Sequence, residues 1–257
     1  MTGGHTSAPT APGFLAGTRV VFARELAATF DSNIAYVAAI GFLLLASSLF
    51  MNEFFLVGRL DMTPFFELLP PLFVLFLPAI SMRLWAEDRR TRTFELLVTL
   101  PLRPLQLVLG KYGAALGLFA VFLLGTTPIV VMLCALGDPD LLLIASGYLG
   151  AFLFGALLLA IGALLSSLSS DQIVAFILTA LVSFALVVSG DERVVAVLDG
   201  LVPALAPGTW IAATLSALPH YEAFVRGVVE LSALLYFVVF SAAILALGAL
   251  VVQRHRT

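Results

Sequence analysis

Residues 83–103 read RLWAEDRRTRTFELLVTLPLR. This stretch gathers Arg83, Glu87, Asp88, Arg89, Arg90, Arg92, Glu95 and Arg103 in a chain that is 61% hydrophobic and only 11% charged. Long apolar runs flank it on both sides. A charged island between two apolar runs reads as a short connection outside the membrane, joining two spans. After Arg92, Phe94, Leu97, Val98 and Pro101 recur at i, i+3, i+4 and i+7, which is one stripe of a short helix. Glu95 lies off that stripe, and Pro101 and Pro104 end the helix. Arginine alone would satisfy the charge rule for a cytosolic loop. The interleaved acids and the apolar stripe point instead to a helix that docks in a groove on a partner.

The rest of the chain supplies the membrane. Its 257 residues have a mean hydropathy of +1.10 and a formal net charge of −3. A soluble domain of this size could not cover so much apolar surface. Lipid admits helices or closed barrels, and about 20 apolar residues cross it as a helix. The runs predict six spans in an all-α integral membrane protein: 34–51, 65–84, 105–136, 141–165, 173–189 and 228–252. The third is longer than a crossing needs, so it is tilted or extended.

Charge sets the orientation. Arg19, Arg24, Arg83, Arg89, Arg90, Arg92, Arg103, Lys111, Arg254 and Arg256 fall on one side, and Arg59, Arg193 and Arg226 on the other. Ten against three places both termini and the charged island in the cytosol of a multi-pass protein of the cell (inner or plasma) membrane. The opposite face carries acids, among them Glu53, Asp61 and Glu222.

Segments outside the spans have their own patterns. Residues 1–13 are small and polar, lack the features of a signal peptide, and read as a flexible cytosolic tail. Residues 14–257 form a single six-span domain. Within it, 14–31 reads as an amphipathic helix in the interface plane, with Leu15, Phe22, Leu26 and Phe30 as its stripe. Residues 190–227 are too short to cross twice and are broken by Pro203, Pro207 and Pro219, so they read as short helices in or on the outer leaflet.

Candidate chemistry is sparse. The single cysteine, Cys134, excludes an intrachain disulfide and a cysteine-based metal cluster. His5, His220 and His255 lie in tails and loops and read as solvated, and no nucleophile–base pair sits at membrane depth. No catalytic residue, metal site, bound cofactor or nucleic-acid surface is expected. Gly110-Lys111 is no phosphate loop, because Leu105 stands where glycine is needed and Tyr112 where Ser or Thr is needed. Glu67, Pro71, Arg226 and Glu230 are candidates for a translocation path, since ionisable residues in spans are functional by default. Arg226 and Glu230 are spaced for an i,i+4 pair on one helix. Gly113 and Gly117, and Gly147, Ala151 and Gly155, make small faces suited to close helix packing within the bundle or to a dimer contact.

The run AEDRRTRTFELLVTLPLRPLQLVLGKY resembles a signature of ABC transporter permeases of the type 2 class. Glu87, Arg89, Arg90, Thr93, Glu95, Leu96, Leu97, Pro101, Gly110 and Lys111 match it. Asp88 stands where glutamate is common, and Arg92 where glycine is usual. A second run, HYEAFVRGVVELSALLYFVVF, is similar to the last-span entry of the gliding-motility-type and nitrous-oxide-reductase-maturation-type branch, through Phe224, Arg226, Gly227, Val228, Glu230, Tyr236 and Phe237. The resemblance implies an elbow helix at 14–31, a coupling region at 85–104 and re-entrant helices before the sixth span. It implies a dimer, homo- or heteromeric, that binds separate ABC ATPase subunits. ATP and Mg would sit on those subunits, and an extracytoplasmic accessory protein and membrane lipid complete the partners. It implies export, with Glu87, Asp88, Arg89, Arg90, Arg92, Phe94, Glu95, Leu97 and Val98 as the ATPase-coupling set. The competing class is an ion-coupled secondary carrier of six spans, for which Glu67 is the one basis and no internal repeat is detected. An intramembrane protease would need a base that the spans lack.

Overall fold

The computed structural model describes residues 13–58, 60–91, 93, 102–201, 208–209 and 216–254. Regular structure among the described residues is entirely helical. The N-terminal helix α1 (Phe14–Phe30) is followed by α2 (Asn33–Val57), α3 (Thr63–Ser81) and α4 (Arg83–Arg90). Then come α5 (Pro104–Leu124), α6 (Thr127–Leu136), α7 (Leu141–Leu168) and α8 (Gln172–Val188). The chain closes with α9 (Glu192–Leu201), α10 (Leu218–Val225) and α11 (Leu231–Arg254).

Among the described residues, five helical stretches are long and apolar enough to cross a bilayer: Asn33–Leu56, Thr63–Arg90, Pro104–Leu136, Leu141–Leu168 and Leu231–Arg254. A sixth is counted if α8 and the following Arg193–Gly200, bent by 84°, form one broken span. Each span expected from hydropathy therefore has a helix. The fifth is the short one: the 17 residues of α8 rise about 25 Å at 1.5 Å per residue, against a hydrocarbon core of about 30 Å. The long third span is two helices joined at Gly125 and Thr126, where the Thr126 hydroxyl bonds the Leu123 carbonyl at 2.6 Å and the Tyr148 hydroxyl at 2.7 Å.

Helix α7 is the axis of the bundle. Its apolar window is 72% buried, against 28% for α2 and for α11, and it packs on α3, α4, α5, α8, α10 and α11. Glycine makes this possible. A Cβ at Gly147 would overlap the Phe66 ring, one at Gly155 the Phe119 ring, and one at Gly162 the Ser81 side chain. The small-residue faces noted in the sequence thus pack within the chain. The N-terminal turns of α7 meet α10, where Ser146 donates a short hydrogen bond to the Phe224 carbonyl. Its C-terminal turns meet α4. Helices α4 and α10 therefore lie at opposite ends of the bundle.

In α1, Phe22, Leu26 and Phe30 are half-buried and Leu15 is 81% exposed. The face against α5 is set by Gly17 and Val21, the two residues of this helix that are buried. Two expectations are corrected. Arg226 and Glu230 do not share a helix. Arg226 caps α10, Gly227 turns the chain at φ +83, and α11 starts only at Leu231. No ion pair joins the two; Glu230 accepts from the Ser232 hydroxyl at 3.2 Å. Finally, His220 is not a solvated loop residue, because its ring stacks on Tyr236 with centroids 4.2 Å apart.

Candidate functional site: the charged end of the bundle

Helix α3 runs through Pro70, Pro71 and Pro78 and turns at Met82 into α4. Hydropathy stops near Leu84, yet the helix continues to Arg90 because its new N-terminus is capped from another span. The first amide N–H groups of a helix have no partner within it. Here the Trp85 and Ala86 amides donate to the Ser166 hydroxyl of α7 at 3.1 and 3.2 Å, and Ser166 donates to the Met82 carbonyl at 3.0 Å. Ser166 is fully buried. Ser166→Ala is expected to leave two buried amides unsatisfied and to cost about 1–3 kcal/mol, read as a lowered unfolding midpoint and faster hydrogen exchange confined to α4.

Arg83 ties α4 to the turn between α1 and α2. Its guanidinium grips Glu87 with two bonds of 2.7 and 2.8 Å and donates a short bond to the Ser32 hydroxyl. Lys111 makes a second tie. It sits in α5, is 2% exposed, and places its Nζ 3.0 Å from Glu25 of α1 and 2.7 Å from Asp88 of α4. The ammonium also lies 5.2 Å from the centre of the Trp85 ring, within cation–π range. The other Asp88 oxygen accepts from the Thr93 hydroxyl at 3.1 Å, and the Thr93 amide donates to the Asp88 carbonyl at 2.9 Å. Gly110, beside Lys111, gives α1 its seat, since a Cβ there would lie 2.6 Å from Val21. Gln106 fastens the start of α1, donating to the Phe14 carbonyl at 3.0 Å while accepting from the Arg103 amide at 2.6 Å.

The electrostatics of the tie are visible at Glu25. Burial by itself would push its carboxyl up. The Lys111 ammonium, together with Arg24, more than offsets this and holds it below the usual value of 4.5. A depressed folded-state pKa contributes stability that is complete above the ordinary value and is lost as pH falls through the folded one. Hydrogen exchange of α1, corrected for intrinsic rates, is therefore expected to accelerate as pH drops below about 4.5, and Glu25→Gln is expected to remove that dependence.

Of the coupling set, Glu87, Asp88, Arg89 and Arg90 occupy α4, and the structure brings Glu87 and Asp88 into the two ties. Arg92, Phe94, Glu95, Leu97 and Val98 lie outside the described residues. Sequence reasoning missed Glu25 and Lys111 as a pair. The signal was present: Lys111 is the one charge between Arg103 and Asp138, and an ionisable residue in such a run needs a partner.

At the opposite end, a cleft of about 260 Å³ opens between α3 and α10. Thr63, Glu67, Pro70, Tyr221, Glu222 and Arg226 are among its lining residues. Two of the sequence-selected path residues, Glu67 and Arg226, thus share one cleft, while Pro71 and Glu230 do not line it. Pro70 lacks the N–H that would bond the Phe66 carbonyl in a helix, and the buried Tyr221 hydroxyl donates to that carbonyl at 2.6 Å. This bond seats α10 on α3. Among the described residues no group of three or more His, Cys, Asp or Glu is placed to hold a metal ion.

Among the described residues, the chain is all-helical, with five to six helices long and apolar enough to span a membrane and a capped, charged helical extension at one end of the second. The family described as ABC-2 family transporter protein matches residues 62–190, half of the chain. The chain belongs to that family and is a multi-pass ABC transporter permease subunit. A comparison with curated proteins gives no match.

Proposed function

We propose that this chain is the membrane subunit of an ATP-driven exporter, energised by a separate ABC ATPase that docks on the 85–104 connection. The observation that carries this reading is the family match through 62–190, which spans that connection. Its physical complement is the way α4 is built. Helix α4 has an exposed, charged C-terminal end, is capped at its buried N-terminus by Ser166 of α7, and is tied by Lys111 to α5 and α1, so a push on it reaches the bundle. Glu87, Asp88, Arg89 and Arg90, with Arg92, Phe94, Glu95, Leu97 and Val98, form the docking and coupling set. ATP and Mg belong to the partner, which supplies the nucleotide chemistry.

In this reading both termini are cytosolic in the cell membrane, α1 is the elbow, and α9 and α10 serve as the outer-leaflet helices. Two permease protomers, alike or different, enclose the route. ATP binding favours the state in which the ATPases close, and the bundles shift as near-rigid bodies. The cleft holding Glu67 and Arg226 lies at the outer mouth of the route. A groove between apolar bundles favours a lipid-like or amphiphilic cargo. The family match disfavours the ion-coupled carrier. The test is purification of the tagged chain from native membranes, followed by assay of vanadate-sensitive ATP hydrolysis. Hydrolysis that tracks the chain through successive columns is expected, and a chain that purifies without it would sink the reading.

A further inference from the structure

Lys111 is a costly residue to place where it is. A buried ion pair stabilises a fold no better than apolar side chains of the same volume, because desolvation consumes the attraction. A methionine would fill the site between Trp85 and α1 with no charge to satisfy. What the ammonium supplies is geometry: one group holds two carboxylates from two different elements at 3.0 and 2.7 Å. Glu25 and Asp88 are each 16% exposed, so they reach the ammonium from the rim while Lys111 is sealed beneath them. Asp88 passes the connection on, since its second oxygen receives Thr93, the last described residue before the segment 94–101.

We propose that Lys111 is a positioning residue for the coupling step, locking α1 and the 85–93 end of the ATPase-docking connection to α5 so that the three move as one body. The proposal rests on the reading of the chain as an ATP-driven permease. Through the line Thr93–Asp88–Lys111–Glu25, displacement of the docking connection carries the N-terminal helix with it. Without Lys111, α1 keeps its glycine-lined seat on α5 at Gly110, Gly113 and Gly117. It loses its charged link to α4, and the docking connection moves alone. Arg83 and Ser32 remain as the weaker of the two ties, because Arg83 is already satisfied by Glu87.

The experiment uses the full chain with Cys134→Ser, spin-labelled at Arg19→Cys on α1 and Thr91→Cys after α4, purified with whatever accompanies it from native membranes. Both labelled positions are exposed. The width of the label–label distance distribution is read without nucleotide and with ATP and vanadate. The unsubstituted background is expected to give one narrow distance that changes little between the two states. Lys111→Met is expected to widen it at least twofold and to let the distance shift when ATP and vanadate are added. Glu25→Gln and Asp88→Asn, which keep size and sit at the rim, are expected to widen it as well, so the question is decided even if Lys111→Met fails to fold. Adding Glu25→Gln to Lys111→Met is expected to widen it no further, whereas independent packing roles would add. Widths unchanged in all three single variants would overturn the proposal, and so would additive effects. If no ATPase accompanies the chain, the reading as an ATP-driven permease fails on its own, and the nucleotide-free widths still decide whether Lys111 holds the two elements together.

Discussion

Reversing Arg89 and Arg90 to glutamate together with Glu95→Ala is expected to abolish coupling while leaving the bundle folded. Arg89 and Arg90 close α4 on the charged end. Their substitution touches neither the Ser166 cap nor the Lys111 tie, so the spans should keep their hydrogen-exchange protection. The ATPase partner should either detach or hydrolyse ATP without moving cargo, a loss of at least tenfold in ATP-dependent flux. Two reversed charges at a docking rim act on both encounter and register, because juxtaposed like charges cost several kcal/mol where they meet. Normal ATPase retention and normal flux in this variant would remove the connection from the mechanism.

Gly110→Leu should have the largest effect on the structure of the charged end. A Cβ at this position lies 2.6 Å from Val21 Cβ and 3.1 Å from the Thr18 carbonyl, groups close to the α1 backbone that cannot swing aside. The expected outcome is that α1 lifts from α5, at about 1–3 kcal/mol for overpacking of this kind. Hydrogen exchange in α1 should then rise by roughly tenfold or more, since 1.4 kcal/mol is a factor of ten in such an equilibrium. The spans should remain protected. Gly113→Ala is the milder control, because it meets only the edge of the Phe22 ring at 3.2 Å, which can rotate. Gly13→Ala meets nothing within 4 Å and should be silent. Equal exchange in Gly110→Leu and Gly13→Ala would show that α1 does not depend on this seat.

Much of the architecture was legible in the sequence, for a physical reason. A bilayer forces apolar length on every span, and that length is visible without tertiary information. Each run predicted from hydropathy carries a helix, and the family match through 62–190 agrees with the resemblance seen around Glu87–Lys111. The ends were less legible, because they depend on partners distant in the chain. Helix α4 persists past the apolar run because Ser166 caps it from α7, and nothing local to residues 83–90 reports that. The approach of α1 to α5 is set by Gly17 and Gly110 rather than by the largest apolar side chains. The Arg226–Glu230 pairing failed because it assumed one helix across Gly227, whose φ of +83 breaks it.

The candidate site divides along the same line. Charge patterning singled out Glu87–Arg90, and composition singled out Glu67 and Arg226 at the opposite end. Lys111 was noticed only as part of a motif, as one of the ten cations that set the orientation, and in a Gly-Lys pair rejected as a phosphate loop. Its two carboxylate partners come from α1 and α4, so only the fold brings the three together. Asp88, the departure from the more common glutamate, is the residue whose carboxylate lies 2.7 Å from that lysine. Arg92, the other departure, lies outside the described residues.

The most direct measurement of where ATP work enters the membrane is site-specific photo-crosslinking in native membranes. A photoreactive residue is placed at Arg90 on the charged end or at Arg226 on the opposite end, and the adducts are identified by mass spectrometry. A nucleotide-binding ATPase is expected to crosslink at Arg90 and not at Arg226. An Arg90 position that captures lipid alone, or an ATPase captured equally at both ends, would contradict entry of ATP work at the charged end.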